Sequence, residues 1–224
     1  MLFLVPTPIG NLEDITLRAI SVLQSVSLIL AEDTRNSGKL LKHFNIETRM
    51  MSFHSHNEHH KLEKVIDHLK SGDDIALISD AGTPGISDPG YLLVRAAIQN
   101  DIALTCLPGP TAVIPAIVMS GIPCDKFFFE GFLPHKKGKQ SRIDFLLSLN
   151  TPFVLYESPH RVIKTLHKIL ERSGEDRNAC VVREISKLHE EPIRGSISEI
   201  ISNLEDRQSI KGEIVIIIGG GTSK

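Results

Sequence analysis

Carboxylates in this 224-residue chain stand at the ends of apolar runs, where a strand would hold them rigidly beside a turn. Asp80 closes Ile75-Ala76-Leu77-Ile78-Ser79, Glu32 and Asp33 close Leu28-Ile29-Leu30-Ala31, and Glu157 closes Phe153-Val154-Leu155-Tyr156. A carboxylate in such a place can bind a substrate hydroxyl. Arginines lie a few residues on, Arg35 after Asp33 and Arg161 after Glu157, and a guanidinium fork suits phosphate. Ala31-Glu32-Asp33-Thr34-Arg35 therefore has two readings. It binds a substrate hydroxyl or phosphate, or it is a capped helix start with a local ion pair. Tyr156-Glu157-Ser158-Pro159-His160-Arg161 brings hydroxyl, carboxylate, imidazole and guanidinium groups together, or is strand-end turn chemistry with Ser158 as a helix cap.

Three turns carry a different chemistry. Ser79 to Gly90, SDAGTPGISDPG, joins an apolar strand to the apolar run Tyr91–Ile98. Strand-to-helix links commonly take about 2–6 residues, so this longer loop is a candidate ligand loop. Asp88 and Pro89 stand where a helix takes its N-cap and first-turn proline. Val5-Pro6-Thr7-Pro8-Ile9-Gly10-Asn11-Leu12 and Leu107-Pro108-Gly109-Pro110-Thr111-Ala112 repeat the proline-glycine pattern after other strands. Proline fixes φ and removes an amide donor, while glycine lets backbone come close to a partner. A phosphate cradle needs free amides, so these rigid turns suit a flat ligand better. No GxGxxG follows the first strand and no GxxxxGK[ST] occurs, which argues against dinucleotide and nucleoside triphosphate sites.

Cations and imidazoles cluster twice. His135-Lys136-Lys137-Gly138-Lys139-Gln140-Ser141-Arg142 is the dense basic segment. It is read as an exposed loop and as the natural place for an anionic partner. His54-Ser55-His56-Asn57-Glu58-His59-His60 puts His56 and His60 four apart, on one helix face. No second ligand group at metal spacing accompanies them, so this segment is read as a loop entering a helix, and no metal is expected. The net charge of −2 speaks against indiscriminate nucleic-acid binding. Cys106, Cys124 and Cys180 are widely spaced and odd in number, which fits a reducing, cytoplasmic setting. No apolar run approaches a membrane span, and the first residues read as a strand rather than a signal peptide.

To position these residues the first half must alternate strand and helix. Strands are expected at Leu2–Thr7, Leu28–Asp33, Met50–His54, Ile75–Asp80 and Ile102–Leu107. Helices are expected at Thr16–Val26, Asn36–Phe44, Asn57–Lys70, Pro89–Asn100 and Thr111–Ser120. Five strands with helical crossovers imply an α/β domain over residues 1–120 with a mainly parallel sheet covered on both faces. Gly121-Ile122-Pro123-Cys124-Asp125 breaks the pattern and marks a boundary. A second α/β domain, residues 121–224, has strands at Phe127–Phe132, Phe153–Glu157, Ala179–Ile185, Pro192–Ser196 and Glu213–Ile218. Its helices lie near Lys139–Leu149, His160–Arg172 and Ser198–Arg207. A hairpin joining Ala179–Ile185 to Pro192–Ser196 makes its sheet mixed.

Taken together, VPTPIGNLEDITLRA (Val5–Ala19), AEDTR (Ala31–Arg35), SDAGTPGISDPG (Ser79–Gly90), LPGPTA (Leu107–Ala112), EGFLPHK (Glu130–Lys136) and YESPHR (Tyr156–Arg161) resemble a single family. It is the bacterial small-subunit ribosomal RNA methyltransferase I family. That family is a branch of the tetrapyrrole-methylase-like, or class III, S-adenosylmethionine (SAM) methyltransferases. The motifs occur in order along nearly the whole chain. The resemblance implies two α/β domains with SAM in the cleft between them, and a homodimer. It also implies 2'-O-methylation of a cytidine ribose in the decoding region of 16S rRNA. By motif position, SAM would meet Pro8, Gly10 and Asn11 in the first turn. In the second it would meet Asp80, Ala81, Gly82, Thr83, Pro84, Ile86 and Asp88, and in the third Pro108, Gly109, Thr111 and Ala112. Backbone near Phe132, Leu133 and Arg183-Glu184 would close the pocket. The general base is then Glu32, Asp33 or Glu157. RNA contacts fall to Arg35, Arg161 and the basic loop with Lys136, Lys137 and Lys139. Many members of the family continue beyond the last strand, whereas this sequence ends soon after Gly221. A tetrapyrrole-precursor C-methyltransferase of the same fold is the alternative.

Overall fold

The computed structural model describes residues 1–55, 57–87 and 89–221. His56 of the histidine segment and Asp88 of the long loop lie outside the described residues. The chain divides into two compact units, Met1–Thr111 and Ala112–Lys224.

The first unit is built on five strands: β1 (Leu2–Leu4), β2 (Leu28–Ala31), β3 (Met50–Ser52), β4 (Ile75–Ile78) and β5 (Leu104–Cys106). They pair in the order β3-β2-β4-β1-β5, every pair parallel. Parallel pairing requires crossovers. These contain α1 (Leu17–Ser25), α2 (Thr34–His43), α3 (Glu58–Lys70) and α4 (Tyr91–Gln99). Side chains of β4 alternate between the two faces. Ile75 and Leu77 pack with Val65, Leu69, Leu93 and Ala97 of α3 and α4. Ala76 and Ile78 pack with Ala19, Leu23 and Leu41 of α1 and α2. The chain thus leaves β1 toward one face and β4, its neighbour, toward the other. That is a topological switch point, the place where open parallel sheets bind ligands beyond their carboxyl ends.

The strands are shorter than the apolar runs suggest. Each run's final residues, among them Thr7, Glu32-Asp33 and Ser79-Asp80, leave the ladder and form the turns beyond the carboxyl edge. The start of α4 also differs. Its N-cap position is Gly90, at φ +133°, and a Cβ there would meet Leu77 Cδ2 at 2.7 Å. Close packing against β4 needs glycine at that point, which moves the helix start past Pro89.

The second unit opens with α5 (Val113–Ser120), which packs on strands of its own sheet. Gly121, the residue that opens the expected boundary, is instead the left-handed C-cap of this helix. Strands β6 (Phe128–Phe132), β7 (Phe153–Glu157), β8 (Asn178–Arg183), β9 (Glu191–Ser196) and β10 (Ile214–Ile218) pair in the order β6-β7-β10-β8-β9. Only β6 and β7 are parallel. The other pairs are antiparallel, including the β8–β9 hairpin. Helices α6 (Lys139–Ser148), α7 (Val162–Ser173) and α8 (Ile197–Glu205) pack on one core with the sheet. A capping box between Ser196 and Glu199 starts α8. No helix among the described residues is long and apolar enough to cross a membrane.

Candidate functional site

In the first unit, backbone ties the loops at the switch point together. Thr7 N–H donates to Gly82 O at 3.0 Å and Gly82 N–H to Thr7 O at 2.9 Å, an isolated antiparallel bridge between the loops after β1 and β4. Thr7 Oγ1 donates to Ser79 O at 3.0 Å. Ser79 Oγ lies 3.2 Å from both Ala81 O and Gly82 O, and Thr83 Oγ1 donates to Pro110 O at 3.4 Å in the loop after β5. Gly109 seats directly on Pro6, where a Cβ would come within 2.7 Å of Pro6 Cβ. Gly82 and Gly85 take φ values of +78° and +86°, so the loop doubles back without a side-chain penalty. Of the predicted ligand positions, the fold brings Gly82 and Thr83, after β4, and Gly109, after β5, to strand ends on either side of β1, with Ala81, Pro84, Ile86 and Pro108 beside them in chain. Pro8 and Gly10 continue the first turn. Asn11 caps a single 3-10 turn, Leu12–Asp14, by accepting the Glu13 amide at 3.1 Å. Thr111 ends this unit, and Ala112, at the N-cap position of α5, begins the next.

The acids gather beside this lacework. Asp80 Oδ1 accepts the Asp33 amide at 3.1 Å, joining the ends of β2 and β4. Asp33 caps α2 by accepting the Arg35 amide at 2.8 Å and also receives Arg35 Nη2 at 2.7 Å. The Arg35 guanidinium holds the Asp33 carboxyl down at about 2. Asp33 is thus a firmly ionised cap and a poor base near neutral pH. Glu32 is the opposite case. Partial burial, and then the nearby Asp80 charge, push its carboxyl above the ordinary value, as in groups poised for proton transfer. The capped helix start with a local ion pair holds for Asp33 and Arg35, while Glu32 takes no part in that cap. Arg35 is almost wholly exposed.

The second unit has its own edge, where β6 and β7 run parallel and end side by side. Glu157, at the end of β7, is buried and saturated. It accepts Ser158 N–H at 2.8 Å and Thr165 Oγ1 at 2.7 Å, pairs with Arg161 Nη2 at 2.6 Å and lies 3.8 Å from Lys139 Nζ. Ser158 does not cap α7 through its side chain, and Arg161 occupies the N-cap position. Lys139, predicted as an exposed contact, is only 7% exposed and donates to Thr165 Oγ1 at 2.8 Å. It opens α6, and the helix turns it inward toward the Glu157 carboxylate, so it leaves the exposed basic run. Burial lowers its affinity for the proton. Arg142 likewise pairs with Glu130, at 2.6 and 2.5 Å, and lies against Phe145 and Phe128. Lys136 and Lys137 remain exposed. Phe132 is exposed and packs edge-on to Tyr156. Leu133 is a core residue, so only its backbone is open to a ligand. Glu184 takes φ +51° in the turn after β8, paired to Lys187 at 2.9 Å.

Sequence reasoning did not single out His135 or Thr165 as functional. His135 opens the basic run and receives Arg161 Nη1 at Nδ1, 2.7 Å away. No spacing rule links residues 26 positions apart. Among the described residues no group of His, Cys, Asp and Glu could hold a metal ion.

A parallel sheet with proline-glycine turns at its switch point, followed by a mixed sheet, defines a two-unit α/β protein. A family model described as Tetrapyrrole (Corrin/Porphyrin) Methylases matches residues 1–201, and the chain belongs to that family. Within it, the chain is 51% identical over 98% of its length to the ribosomal RNA small subunit methyltransferase I of a Streptococcus pyogenes serotype M3 strain, covering 76% of that protein. It is 45% identical to the protein of the same name from a Hydrogenobaculum strain, covering 97% of this chain and 94% of the relative. Among solved structures, the uroporphyrin-III-C-methyltransferase of Thermus thermophilus superposes with a TM-score of 0.66 at 17% identity, covering 97% of this chain and 93% of that one. That likeness shows the fold alone.

Proposed function

We propose that this chain transfers a methyl group from SAM to small-subunit ribosomal RNA, at the 2'-hydroxyl of a cytidine ribose in the decoding region. The identity of 45–51% over nearly the whole chain to relatives named ribosomal RNA small subunit methyltransferase I carries the small-subunit RNA part of this reading, and the motif resemblance supplies the ribose of a cytidine. The fit of SAM is supported by the first unit's edge. Its proline-rich turns offer carbonyls and few amides, and Glu32, Asp33 and Asp80 give it negative charge. Both suit a cationic, flat ligand better than a phosphate.

SAM supplies a methyl group already activated by its sulfonium. What remains for the chain is to aim the ribose oxygen and take its proton. Aligning reactants in such systems is worth about 7–11 kcal/mol. Glu32 is the base. Its raised proton affinity brings it nearer the working pH, and a positioned base contributes about 10²–10⁴-fold. Asp80 fixes the end of β2 through the Asp33 amide and raises the proton affinity of Glu32. Arg35, with Lys136 and Lys137, holds RNA phosphates, whereas the Arg161 guanidinium, expected to share that role, is committed to Glu157 and His135. Glu157 is committed to its four partners and acts as an anchor.

Incubation with labelled SAM and either small ribosomal subunits or a porphyrinogen mixture tests the proposal. Label in RNA ribose supports it, whereas label in the macrocycle assigns the chain to tetrapyrrole chemistry. Two copies of the chain are expected to act together, and light scattering at micromolar concentration reads this directly.

A further inference from the structure

The loops after β6 and β7 hold a chain of contacts that starts in the protein interior and ends at its surface. At the buried end is Glu157, its side chain 1% exposed. Lys139 and Thr165 hold one of its oxygens, and Ser158 and Arg161 the other. Arg161 is 24% exposed along its side chain, and its buried Nε has no hydrogen-bond partner. Its Nη1 reaches His135 Nδ1 at 2.7 Å. A guanidinium can only donate, so Nδ1 must accept. The neutral imidazole then carries its proton on Nε2, the nitrogen not committed to Arg161. His135 is exposed and continues directly into exposed Lys136 and Lys137. Lys139 and Arg161 bring two positive charges to the single Glu157 carboxylate, so the cluster keeps a net positive charge beside that donor.

We infer that His135 is an RNA-contacting residue that donates Nε2–H to a backbone phosphate. Arg161 selects its tautomer, and Lys139, Thr165 and Glu157 are positioning residues that aim Arg161. The inference rests on the RNA-methylating reading above. A row of exposed donors with a net positive charge suits the repeated phosphates of a nucleic acid strand. The neutral donor adds a signature that lysines lack. It releases no counterion, so it strengthens binding without steepening the salt dependence.

The test is steady-state methyl transfer to small ribosomal subunits from a strain lacking this activity, with SAM affinity and thermal melting measured alongside. Loss of a hydrogen bond to a charged group makes His135→Ala raise KM for the subunits about tenfold, with kcat and SAM affinity unchanged. His135→Gln keeps a side-chain N–H and recovers most of the loss. Lys139→Met raises KM in the same direction through Arg161. In RNA binding, His135→Ala leaves the salt slope as in wild type, whereas Lys136→Ala lowers it by about one. A wild-type KM in His135→Ala, or a His135→Gln enzyme as defective as His135→Ala, overturns the inference while leaving the methylation reading intact. Failure of the wild-type enzyme to methylate the subunits overturns both.

Discussion

The two carboxyl edges of this protein solve the same problem with different chemistry. In the first unit, loops from β1, β4 and β5 are joined through main-chain groups and short hydroxyls, Thr7 to Gly82, Thr7 to Ser79 and Thr83 to Pro110. In the second, the loops from β6 and β7 are joined through long charged side chains, Glu157 to Arg161 to His135. Backbone lacing needs glycine at close approaches, keeps the edge thin and leaves carboxylates as the dominant charges. Side-chain lacing buries ions and leaves a surplus of positive charge. The first edge is suited to a compact cationic donor, the second to a polyanion. A methyltransferase acting on RNA needs both.

The sharpest way to break this comparison is at Glu32. Replacing Glu32 with Gln should cut turnover by about 10²–10⁴-fold while leaving SAM and RNA affinity near wild type. In the wild-type enzyme the rate should fall as pH drops through the raised Glu32 value, and the variant should lose that acid limb. The stability effect has the opposite sense. A carboxyl whose proton affinity is raised by folding stabilises the fold at pH below its unfolded value, and that contribution is lost as pH rises through the folded value. At neutral pH, Glu32→Gln should therefore melt slightly higher than wild type. An inactive but less stable variant would place Glu32 in the scaffold instead.

The second edge should fail through stability. Glu157→Ala leaves buried Lys139 and half-buried Arg161 without their counterion and should cost about 3–5 kcal/mol, read by denaturant unfolding. Glu157→Leu combined with Lys139→Met should recover part of that. At the first edge, Gly109→Ala drives a methyl into Pro6 and should cost about 1–3 kcal/mol, with weaker SAM binding by calorimetry. An unchanged SAM affinity would remove the β5 loop from the site. The smallest effect belongs to Lys136→Ala with Lys137→Ala. Losing two phosphate contacts should lower the salt slope of RNA binding by about one unit each, leaving SAM binding as it was.

Much of this architecture is legible in the residues. Apolar stretches with β-branched residues mark β2, β4, β7, β8 and β10, whereas β3 (Met-Met-Ser) and β9 (Glu-Pro-Ile-Arg-Gly-Ser) carry no such stretch, and the hairpin after β8 betrays the mixed sheet. The three proline-glycine turns can be read as one site only because their strands turn out to be neighbours, and sheet order is not written locally. Other features depend on partners far along the chain. Lys139 reads as one more solvated cation until Thr165 and Glu157 are placed beneath it. Arg142 reads the same way until Glu130 appears opposite. Asp33 and Glu32 are adjacent carboxylates with indistinguishable sequence credentials. Only the Arg35 contact and the burial beside Asp80 separate an ionised cap from a carboxyl of raised proton affinity. Gly90 displaces the expected cap because Leu77 lies against it, a contact across 13 positions that no helix-start rule contains.

The central claim is that this chain methylates a ribose in small-subunit RNA through the Glu32 edge. Mass spectrometry of digested small-subunit rRNA from cells lacking the gene tests it most directly, with wild-type and Glu32→Gln copies returned in parallel. The account predicts one cytidine without its ribose methyl in the deletion strain, restored by the wild-type copy and not by Glu32→Gln. Identical rRNA methylation in deletion and wild-type cells would contradict it.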